Sequence, residues 1–368
     1  MSSIAPLTLA DMESAARASM DAATWAYLAG GAGTERGIAG NLQALDNVWL
    51  QPRALQGGAS ASTECSILGT QLSLPVLLAP TSPQRLFHPE AELATARAAL
   101  ESGSISIVST DTHFCFADIA EHAPQRCWFQ LYAYSSRREV DASLDMAAEA
   151  GATALVLTVD ASFSARRLST RRAGFHVPPD IAFGTLRSLG IGDGSVPANG
   201  RMERLALSWQ DLERLRRRWK GPLLLKGVLD PNDAQRGVDS GADGLIISNH
   251  GGRQLDAVVP SLWALRRIVA HIGRNRPLLL DGGIRSGTDI IKALAMGAHA
   301  ICIGRPYLWG LALDGKAGVQ TVLSLLHEEL QDAMMQMGMA CLEDIGPDCL
   351  VDPSGLGALP KSWRPRHE

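Results

Sequence analysis

Residues 277–305, PLLLDGGIRSGTDIIKALAMGAHAICIGR, carry the clearest indication of the fold. The apolar run at 277–280 ends in Asp281 and two glycines, a helix-like stretch follows at 288–296, and Gly297 leads into a second apolar run. Continuous apolar runs are typical of strands that are buried on both faces, as in a parallel sheet covered by helices. The stretch therefore predicts a strand, a helix and a second, parallel strand.

The same unit recurs along the chain. Gly151 and Gly241, like Gly297, are followed by alanine, two further residues and three apolar residues, which predicts a helix-ending glycine that leads directly into a strand. Eight strands that alternate with helices predict a (β/α)8 TIM barrel, which is favoured over an open, doubly wound sheet with similar local patterns. The eight runs are PVLLAP (75–80), SISIVST (104–110), CWFQLY (127–132), TALVLTV (153–159), PLLLKG (222–227), DGLIISN (243–249), PLLLDGG (277–283) and HAICIG (299–304).

We expect residues 1–368 to form one domain, because an α/β barrel commonly uses about 250 residues or more as a single unit. An N-terminal helical segment at about 1–60 should precede the barrel. The barrel itself is expected at about 70–340, and a C-terminal tail at about 341–368.

Two segments outside the barrel strands have predicted features of their own. Thr8 is the predicted N-cap of a first helix, and Gly30 follows a helix that carries Tyr27. The link at 160–221, between strands four and five, is longer than an ordinary crossover connection. Its middle, 188–200, is rich in glycine and polar residues, so we expect an active-site lid with mobile parts.

Composition and charge exclude several classes of protein. With 46% hydrophobic and 20% charged residues, the chain suits a globular protein and not a disordered one. A net charge of −4 gives no reason to expect nucleic acid or an anionic membrane as a partner. The chain has no run of 18 apolar residues and no recognisable export signal. Its six cysteines lack C-x-x-C spacing, which predicts reduced thiols in a cytoplasmic protein without a metal site.

Polar residues follow every predicted strand. Because barrel enzymes place their chemistry at the C-terminal ends of the strands, we expect these residues to share one pocket. The turns at 281–285 and 304–305, after strands seven and eight, predict phosphate binding by backbone N–H groups and arginine. Glycine turns with solvated arginines are the alternative. The polar ends are Pro80, Thr81 and Ser82; Ser109 and Asp111; Gln130 and Tyr132; Thr158 and Asp160; Lys226; Ser248, His250 and Arg253; Asp281 and Arg285; and Gly304 and Arg305.

The stretch SNHGGRQLD (248–256) follows the sixth predicted strand. By itself, a histidine beside two glycines indicates a polar turn. Here His250 and Arg253 occur together among the polar strand ends, which favours a place in the shared pocket over a simple turn. A phosphate site in the same mouth further predicts a phosphorylated cofactor that lies across the top of the barrel.

Several motifs, taken in order, closely resemble the FMN-dependent 2-hydroxy acid oxidase and dehydrogenase family, which includes glycolate oxidase, lactate oxidase and mandelate dehydrogenase. The resemblance covers essentially the whole chain and implies a (β/α)8 barrel, FMN as cofactor, a small 2-hydroxy acid as substrate and a homotetramer. The motifs are YLAGGAG (27–33), HPEAELATARAA (88–99), FQLY (129–132), LTVD (157–160), LLLKGV (223–228), SNHGGRQLD (248–256), LLLDGGIRSGTDIIKALAMGA (278–298) and IGRP (303–306).

The resemblance implies roles for individual residues. His250 matches the catalytic base, and Asp160 matches the carboxylate that orients it. Lys226 matches a lysine beside the N1 and O2 edge of the flavin, where a cation favours the anionic reduced flavin. The substrate carboxylate is matched to Tyr27, Arg167 and Arg253, and the substrate hydroxyl to Tyr132. Flavin ring contacts are matched by Ser109, Gln130, Thr158 and Ser248, and ribityl and phosphate contacts by Asp281, Gly283, Arg285, Gly304 and Arg305. Pro80, Thr81 and Ser82 are expected to bind the cofactor as well.

The chain also departs from the family pattern. Ala161 and Ser162 replace Thr-Pro, Ala165 replaces a glycine, and Ser82 is followed by Pro83. Asp111 stands where relatives place an aromatic or a small apolar residue that faces the substrate side chain.

A buried carboxylate needs a partner, so Asp111 predicts one of two arrangements. The partner is either internal, namely His113 or an arginine of 166–172, or it is an amine, hydroxyl or amide of the substrate.

Three functions are compared. An FMN-dependent 2-hydroxy acid oxidase or dehydrogenase is favoured. A flavin barrel with non-redox chemistry, similar to type 2 isopentenyl diphosphate isomerase, would not need the His250 and Arg253 pair. A non-catalytic flavin-binding protein would not need a base, its orienting carboxylate and a lysine together. The lid has no long apolar and basic insertion for a membrane, which favours a soluble electron acceptor, while the sequence leaves open whether oxygen or another acceptor reoxidises the flavin.

Overall fold

The structure is a computed structural model that describes residues 6–56, 60–134, 136–163, 165–191 and 204–351. Helices α1 (Leu9–Ser19), α2 (Ala22–Ala29) and α3 (Arg36–Asp46) come first, followed by the short strands β1 (Trp49–Leu50), β2 (Cys65–Ile67) and β3 (Thr70–Leu72). Eight strands then form one closed barrel: β4 (Val76–Leu78), β5 (Ser106–Ser109), β6 (Cys127–Leu131), β7 (Leu155–Thr158), β8 (Leu223–Val228), β9 (Gly244–Ile247), β10 (Leu278–Asp281) and β11 (Ala300–Ile303).

All eight barrel strands are parallel, and each pairs with its sequence neighbour until β11 closes on β4. This arrangement confirms the predicted (β/α)8 barrel and excludes the open, doubly wound sheet. The connecting helices are α4 (Ala91–Glu101), α5 (Phe116–His122), α6 (Arg137–Glu149), α7 (Leu168–Arg172), α8 (Gly184–Ser188), α9 (Trp209–Arg218), α10 (Pro231–Asp239), α11 (Ser261–Ile272), α12 (Gly287–Ala295) and α13 (Arg305–Gln336); β12 (Leu350–Val351) ends the described chain.

The glycine predictions for the helix ends are confirmed. Gly151, Gly241 and Gly297 follow α6, α10 and α12 with φ of 78°, 101° and 110°, a backbone region that favours glycine. At α12, the Gly297 N–H donates to Leu294 O and the next N–H donates to Ala293 O, which satisfies two free carbonyls of the helix end. Each glycine thus ends a helix and turns the chain directly into the next strand.

Inward-facing side chains explain why the barrel has a polar mouth. Side chains alternate across a strand, so residues two apart face the same side. Apolar residues fill the interior, and two positions further along the same strands the inward-facing residue becomes polar. The interior residues Ile107, Trp128, Val156, Leu224, Ile246 and Leu279 are thus followed by Ser109, Gln130, Thr158, Lys226, Ser248 and Asp281.

The opposite end of the barrel is closed by the antiparallel β2–β3 pair. Ile67 and Leu72 from this pair are buried in the interior cluster. The Arg126 guanidinium, just before β6, donates to Gln71 O at 2.6 Å. The β2–β3 pair therefore covers this end of the barrel core, while the C-terminal mouth is left for the site.

The N-terminal segment is helical, as predicted, and it supports the mouth. Thr8 caps α1 through a hydrogen bond from the Asp11 N–H, and Gly30 caps α2. Strand β1 pairs antiparallel with β12, with Trp49 opposite Val351, so the segment that follows α3 pairs with the last described strand. None of the described helices is long and apolar enough to cross a membrane.

The segment that links β7 to β8 contains α7, α8 and α9. Of the stretch 188–200 that was predicted to be mobile, residues 192–200 lie outside the described residues, and so do the following residues 201–203. The C-terminal tail from 352 onward also lies outside them.

Candidate active site at the barrel mouth

A cavity of about 660 Å³ opens at the C-terminal ends of the barrel strands. This volume lies within the range of small-molecule and cofactor sites, roughly 300–1,000 Å³. Many of the predicted site residues line it, namely Tyr27, Pro80, Thr81, Ser82, Asp111, Tyr132, Arg167, Lys226, His250, Arg253, Asp281, Gly283, Arg285, Gly304 and Arg305. Ser109, Gln130, Thr158, Asp160 and Ser248 do not line the cavity. Four of them contact lining residues, Ser109 with Asp111, Thr158 and Ser248 with Lys226, and Asp160 with His250, while Gln130 pairs with Ser109 in the barrel.

The turn after β9 places His250 between two partners. His250 Nδ1 lies 3.0 Å from Asp160 Oδ1, and His250 Nε2 lies 3.5 Å from the Tyr132 hydroxyl. The His250 backbone has φ of 58°, a left-handed conformation that is costly for a non-glycine residue unless its surroundings hold it. Ser248 Oγ accepts the His250 N–H at 2.9 Å and helps to do so. The ring therefore presents Nε2 toward the cavity.

The N-terminal segment braces the same turn. Asn41 of α3 and Asn249 exchange two side-chain hydrogen bonds of 2.8 Å each. Asn249 Oδ1 also accepts the Gly252 N–H at 3.1 Å. Further along, the Asp256 carboxylate accepts the Thr34 N–H at 2.7 Å. These contacts explain why the helical segment before the barrel matters for the site.

The charge states of His250 and Asp160 suit a proton acceptor at His250. Burial lowers the pKa of His250 below its ordinary value, although the Asp160 carboxylate opposes that shift. Burial alone would raise the pKa of Asp160, but His250 and Lys226 more than offset it, and the net pKa is lowered. Near neutral pH the pair is therefore a neutral imidazole beside a carboxylate, and the imidazole can accept a proton that the carboxylate then stabilises.

Lys226 lies buried at the centre of the mouth. Its Nζ lies 2.9 Å from Asp281 Oδ2 and donates to Ser248 Oγ at 2.8 Å. Burial opposes the charged ammonium, but Asp281 and Asp160 outweigh it and raise the pKa of Lys226. The site thus holds a permanent cation on its floor.

Tyr27, Arg167 and Arg253 form a cationic and aromatic wall. Arg253 Nη1 donates to the carbonyls of Tyr27, Leu28 and Gly30 at 3.0, 3.2 and 2.7 Å. The guanidinium carbons of Arg253 and Arg167 lie 5.3 and 5.9 Å from the centroid of the Tyr27 ring. Burial, followed by the neighbouring charge of Arg167, lowers the pKa of Arg253 to about 10. Two arginines held close together in this way favour an anion between them.

The ends of β10 and β11 form a second cationic region. Helix α13 begins at Arg305, and a Cβ on Gly304 would meet only Thr81 Cγ2, at 3.7 Å, so the protein leaves open space there. Burial lowers the pKa of both Arg285 and Arg305. Within the described residues neither forms an ion pair with a carboxylate. Partly buried arginines without an ion-paired carboxylate, beside a helix N-terminus, fit a phosphate group.

Arg285 and Arg305 are held differently. The Arg305 guanidinium donates to the carbonyls of Leu28, Gly251 and Gly30 at 3.2, 2.9 and 3.0 Å. The Arg285 guanidinium donates to Ile284 O and lies over the ring of Trp309, 5.0 Å from its centroid. Arg285 therefore retains more hydrogen-bonding capacity for an anion than Arg305.

Buried polar atoms without partners mark the floor of the site. Both amide atoms of Gln130, Thr158 Oγ1 and Asp281 Oδ1 are buried and have no hydrogen-bond partner among the described residues. Buried polar groups are normally paired, because an unpaired one loses its hydrogen bonds to water without replacement. Their position around the mouth therefore fits a polar, planar ligand such as a flavin ring.

The structure corrects the expectation for Asp111. The predicted internal partners were His113 and the arginines at 166–172, and neither pairs with it. Instead, the Tyr134 hydroxyl donates to Asp111 Oδ1, and Arg204 Nη2 donates to Asp111 Oδ2 at 3.3 Å. Burial raises the pKa of Asp111, although Arg204 and Tyr134 oppose that shift.

Several residues at or beside the cavity were missed by sequence reasoning. Tyr134, which donates to Asp111, continues the alternation of Gln130 and Tyr132 just beyond the end of β6, so that alternation could have identified it. Arg204 and Phe175 come from the long link after β7, where no periodic pattern applies. The Phe175 ring nevertheless stacks on Tyr27, with ring centroids 4.5 Å apart.

Comparison with known proteins establishes the class. Residues 16–352 match the family model described as FMN-dependent dehydrogenase, and the chain belongs to that family. It is an FMN-dependent enzyme of the 2-hydroxy acid oxidase type, with FMN as cofactor.

Individual relatives cover almost the whole chain. It is 41% identical over 351 residues to a 4-hydroxymandelate oxidase from Amycolatopsis orientalis, with 92% of this chain and 96% of the relative covered. It is 42% identical over 352 residues to an L-lactate oxidase from Nostoc sp., with the same shares covered. A crystal structure of mandelate oxidase matches with a TM-score of 0.87 and 39% identity, over 94% of this chain and 98% of that one.

Proposed function

We propose that His250 is the base that removes a proton from a 2-hydroxy acid as the acid is oxidised to the 2-oxo acid. The observation that carries this proposal is the placement of His250 between Asp160 at 3.0 Å and Tyr132 at 3.5 Å, with Nε2 toward the cavity. Asp160 fixes the tautomer and stabilises the imidazolium that forms. The Tyr132 hydroxyl is close enough to His250 to contact the same substrate oxygen.

Arg253, Arg167 and Tyr27 bind the substrate carboxylate in this proposal. Their cationic wall lies at the same mouth as His250, and Arg253 follows it by one short turn. A planar guanidinium binds a carboxylate through two parallel hydrogen bonds, which orients the substrate as well as holding it. The C2 centre of the acid is thereby kept beside the base.

The remaining mouth residues would hold FMN, which when bound supplies the two-electron oxidation. The unpaired Gln130 and Thr158 atoms fit hydrogen bonds to a flavin ring, and the Lys226 ammonium fits its electron-rich edge. Arg285 and the start of α13 fit the phosphate. With them we assign Pro80, Thr81, Ser82, Ser109 and Ser248 to the ring, and Asp281, Gly283, Gly304 and Arg305 to the ribityl and phosphate groups.

The test is anaerobic mixing of the purified enzyme with a panel of 2-hydroxy acids. Bleaching of the flavin absorbance by at least one acid, with release of its 2-oxo acid, is the expected result. If no acid bleaches the flavin, the redox assignment fails, and an isomerase-like or purely binding role would replace it. Readmission of oxygen then reports whether oxygen is the acceptor, because recolouring with peroxide formation distinguishes an oxidase from an enzyme that uses another acceptor.

We also propose that residues 1–368 act as one functional domain in a cytoplasmic homotetramer. All six cysteines are free in the structure, which suits a reducing compartment. The proposal of a tetramer rests on the resemblance of the sequence to the family. Light scattering of the purified protein checks it, and a mass of one chain, 39.2 kDa, would contradict it.

A further inference from the structure

Asp111, Tyr134 and Arg204 form a buried polar group at one side of the cavity, here called the mouth cluster. Tyr134 donates to one Asp111 oxygen, and Arg204 donates to the other at 3.3 Å. Both oxygens are thus engaged by donors from the protein itself. A substrate ammonium would have to displace one of these donors, so a role for Asp111 as partner of a cationic substrate is disfavoured.

Arg204 is the member of the cluster that presents unmatched donors. Its guanidinium carbon lies only 3.5 Å from the centroid of the Tyr132 ring, and Nη1 donates to Ala161 O at 2.7 Å. Arg204 Nε is buried and has no hydrogen-bond partner in the part of the chain that the structure describes. Because a guanidinium carries five N–H donors and no acceptor, the cluster holds more donors than acceptors.

The wider cavity also favours a hydrogen-bond acceptor over a positively charged group on the substrate. Lys226, Arg167 and Arg253 also line it, so a further positive charge on a substrate would meet several cations. Asp111 balances the charge of Arg204, which allows the guanidinium to remain buried without a substrate anion. The unpartnered Arg204 N–H therefore needs an oxygen acceptor, and not specifically a group with a full negative charge.

We propose that Arg204 is a specificity-determining residue that selects 2-hydroxy acids with an oxygen acceptor on the side chain. Hydroxyl, carbonyl and carboxylate groups satisfy it, whereas methyl and ammonium groups do not. A site that hydrogen-bonds one substrate group rejects the analogue without it, because its own polar atoms are left unpaired. This inference rests on the function proposed above.

A panel of 2-hydroxy acids with side chains of equal length tests the proposal. The side chains end in methyl, hydroxyl, carboxylate or ammonium, and kcat/KM is measured for each. For the wild type we expect the hydroxyl and carboxylate acids to exceed the methyl acid by about tenfold or more, with the ammonium acid poorest. In Arg204→Met the ratio of hydroxyl to methyl acid should fall to within about threefold of unity.

Two further variants separate specificity from damage to the fold. Arg187→Met removes an exposed arginine of α8 outside the cavity and should leave every ratio unchanged. Arg204→Lys keeps the charge but loses the planar donors, so it should keep a preference for carboxylate over methyl and lose the preference for hydroxyl. If Arg204→Met does not retain flavin, this lysine variant decides the question.

Failure of the role proposed for Arg204 can be distinguished from failure of the proposed oxidation of 2-hydroxy acids. If no acid reduces the flavin, the proposed function is wrong. If acids reduce it but the wild type ranks methyl equal to hydroxyl, or Arg204→Met and Arg204→Lys both keep the wild-type ratios, the role of Arg204 is overturned. Binding of the matching 2-oxo acids, followed by the shift in flavin absorbance, should show the same ranking without turnover.

Discussion

Asp160 Oδ1 lies 3.0 Å from His250 Nδ1, so the carboxylate holds the nitrogen that faces away from the cavity. The Nδ1–H of a neutral ring donates to the carboxylate, and the lone pair is then on Nε2. Asp160 Oδ2 is buried and has no hydrogen-bond partner among the described residues. Almost all of its stabilising effect is therefore directed to the histidine and the nearby lysine.

Replacing Asp160 by asparagine should keep the shape and remove the charge. The imidazolium formed during proton transfer would lose its stabilising anion, and the ring could bind in the wrong tautomer. We expect the rate of anaerobic flavin reduction to fall by about 10²–10⁴-fold. Stopped-flow absorbance measures this rate, and flavin content should stay at the wild-type level. A rate within a few-fold of wild type would contradict the role of the carboxylate.

The pH dependence follows from the same pair. Burial lowers the pKa of His250, and only its neutral form accepts a proton. The kcat/KM for the acid should therefore be constant near neutral pH and fall as the pH drops through a value below the usual histidine pKa of about 6.5. Because Asp160 raises the His250 pKa, Asp160→Asn should move this limb to still lower pH. A limb that lies above the usual value, or that moves upward in the variant, would contradict the assignment.

The strands were predictable because each is buried on both faces and reads as a continuous apolar run. The polar mouth followed from the same pattern, since Lys226 and Asp281 sit two residues beyond interior leucines. The partner of Asp111 was not predictable. Arg204 is 93 residues away in sequence, and the link after β7 that carries it has no hydrophobic periodicity from which its path could be inferred.

The cofactor end of the cavity gives a prediction about binding. Arg285→Ala removes a partly buried guanidinium that forms no ion pair with a carboxylate within the described residues. A phosphate would lose a charge-assisted contact, so the Kd for FMN should rise about 10–100-fold. Titration of apoprotein with FMN, followed by flavin fluorescence, measures this change.

The matched control for that titration is Arg126→Ala. Arg126 lies at the closed end of the barrel, where it donates to Gln71 O. It should leave the Kd for FMN unchanged even if it lowers thermal stability. Equal FMN affinity for the Arg285 variant and the wild type would remove Arg285 from the phosphate site.

Arg253→Lys tests the carboxylate clamp. In the native site one nitrogen of Arg253 is used by three main-chain carbonyls, of Tyr27, Leu28 and Gly30, which leaves the rest of the guanidinium for a substrate. A lysine ammonium is a single point of charge and cannot satisfy those carbonyls and also bind a carboxylate through two parallel bonds. Since the pKa of Arg253 is lowered only to about 10, the arginine stays charged at neutral pH, and the difference is one of geometry and not of charge.

We expect kcat/KM of Arg253→Lys to fall by about 10²-fold or more, with both a higher KM and a lower kcat, because the acid is bound less tightly and is no longer oriented toward His250. Steady-state kinetics with the best acid of the panel, at constant flavin content, measures both parameters, and unchanged values would exclude Arg253 from the clamp.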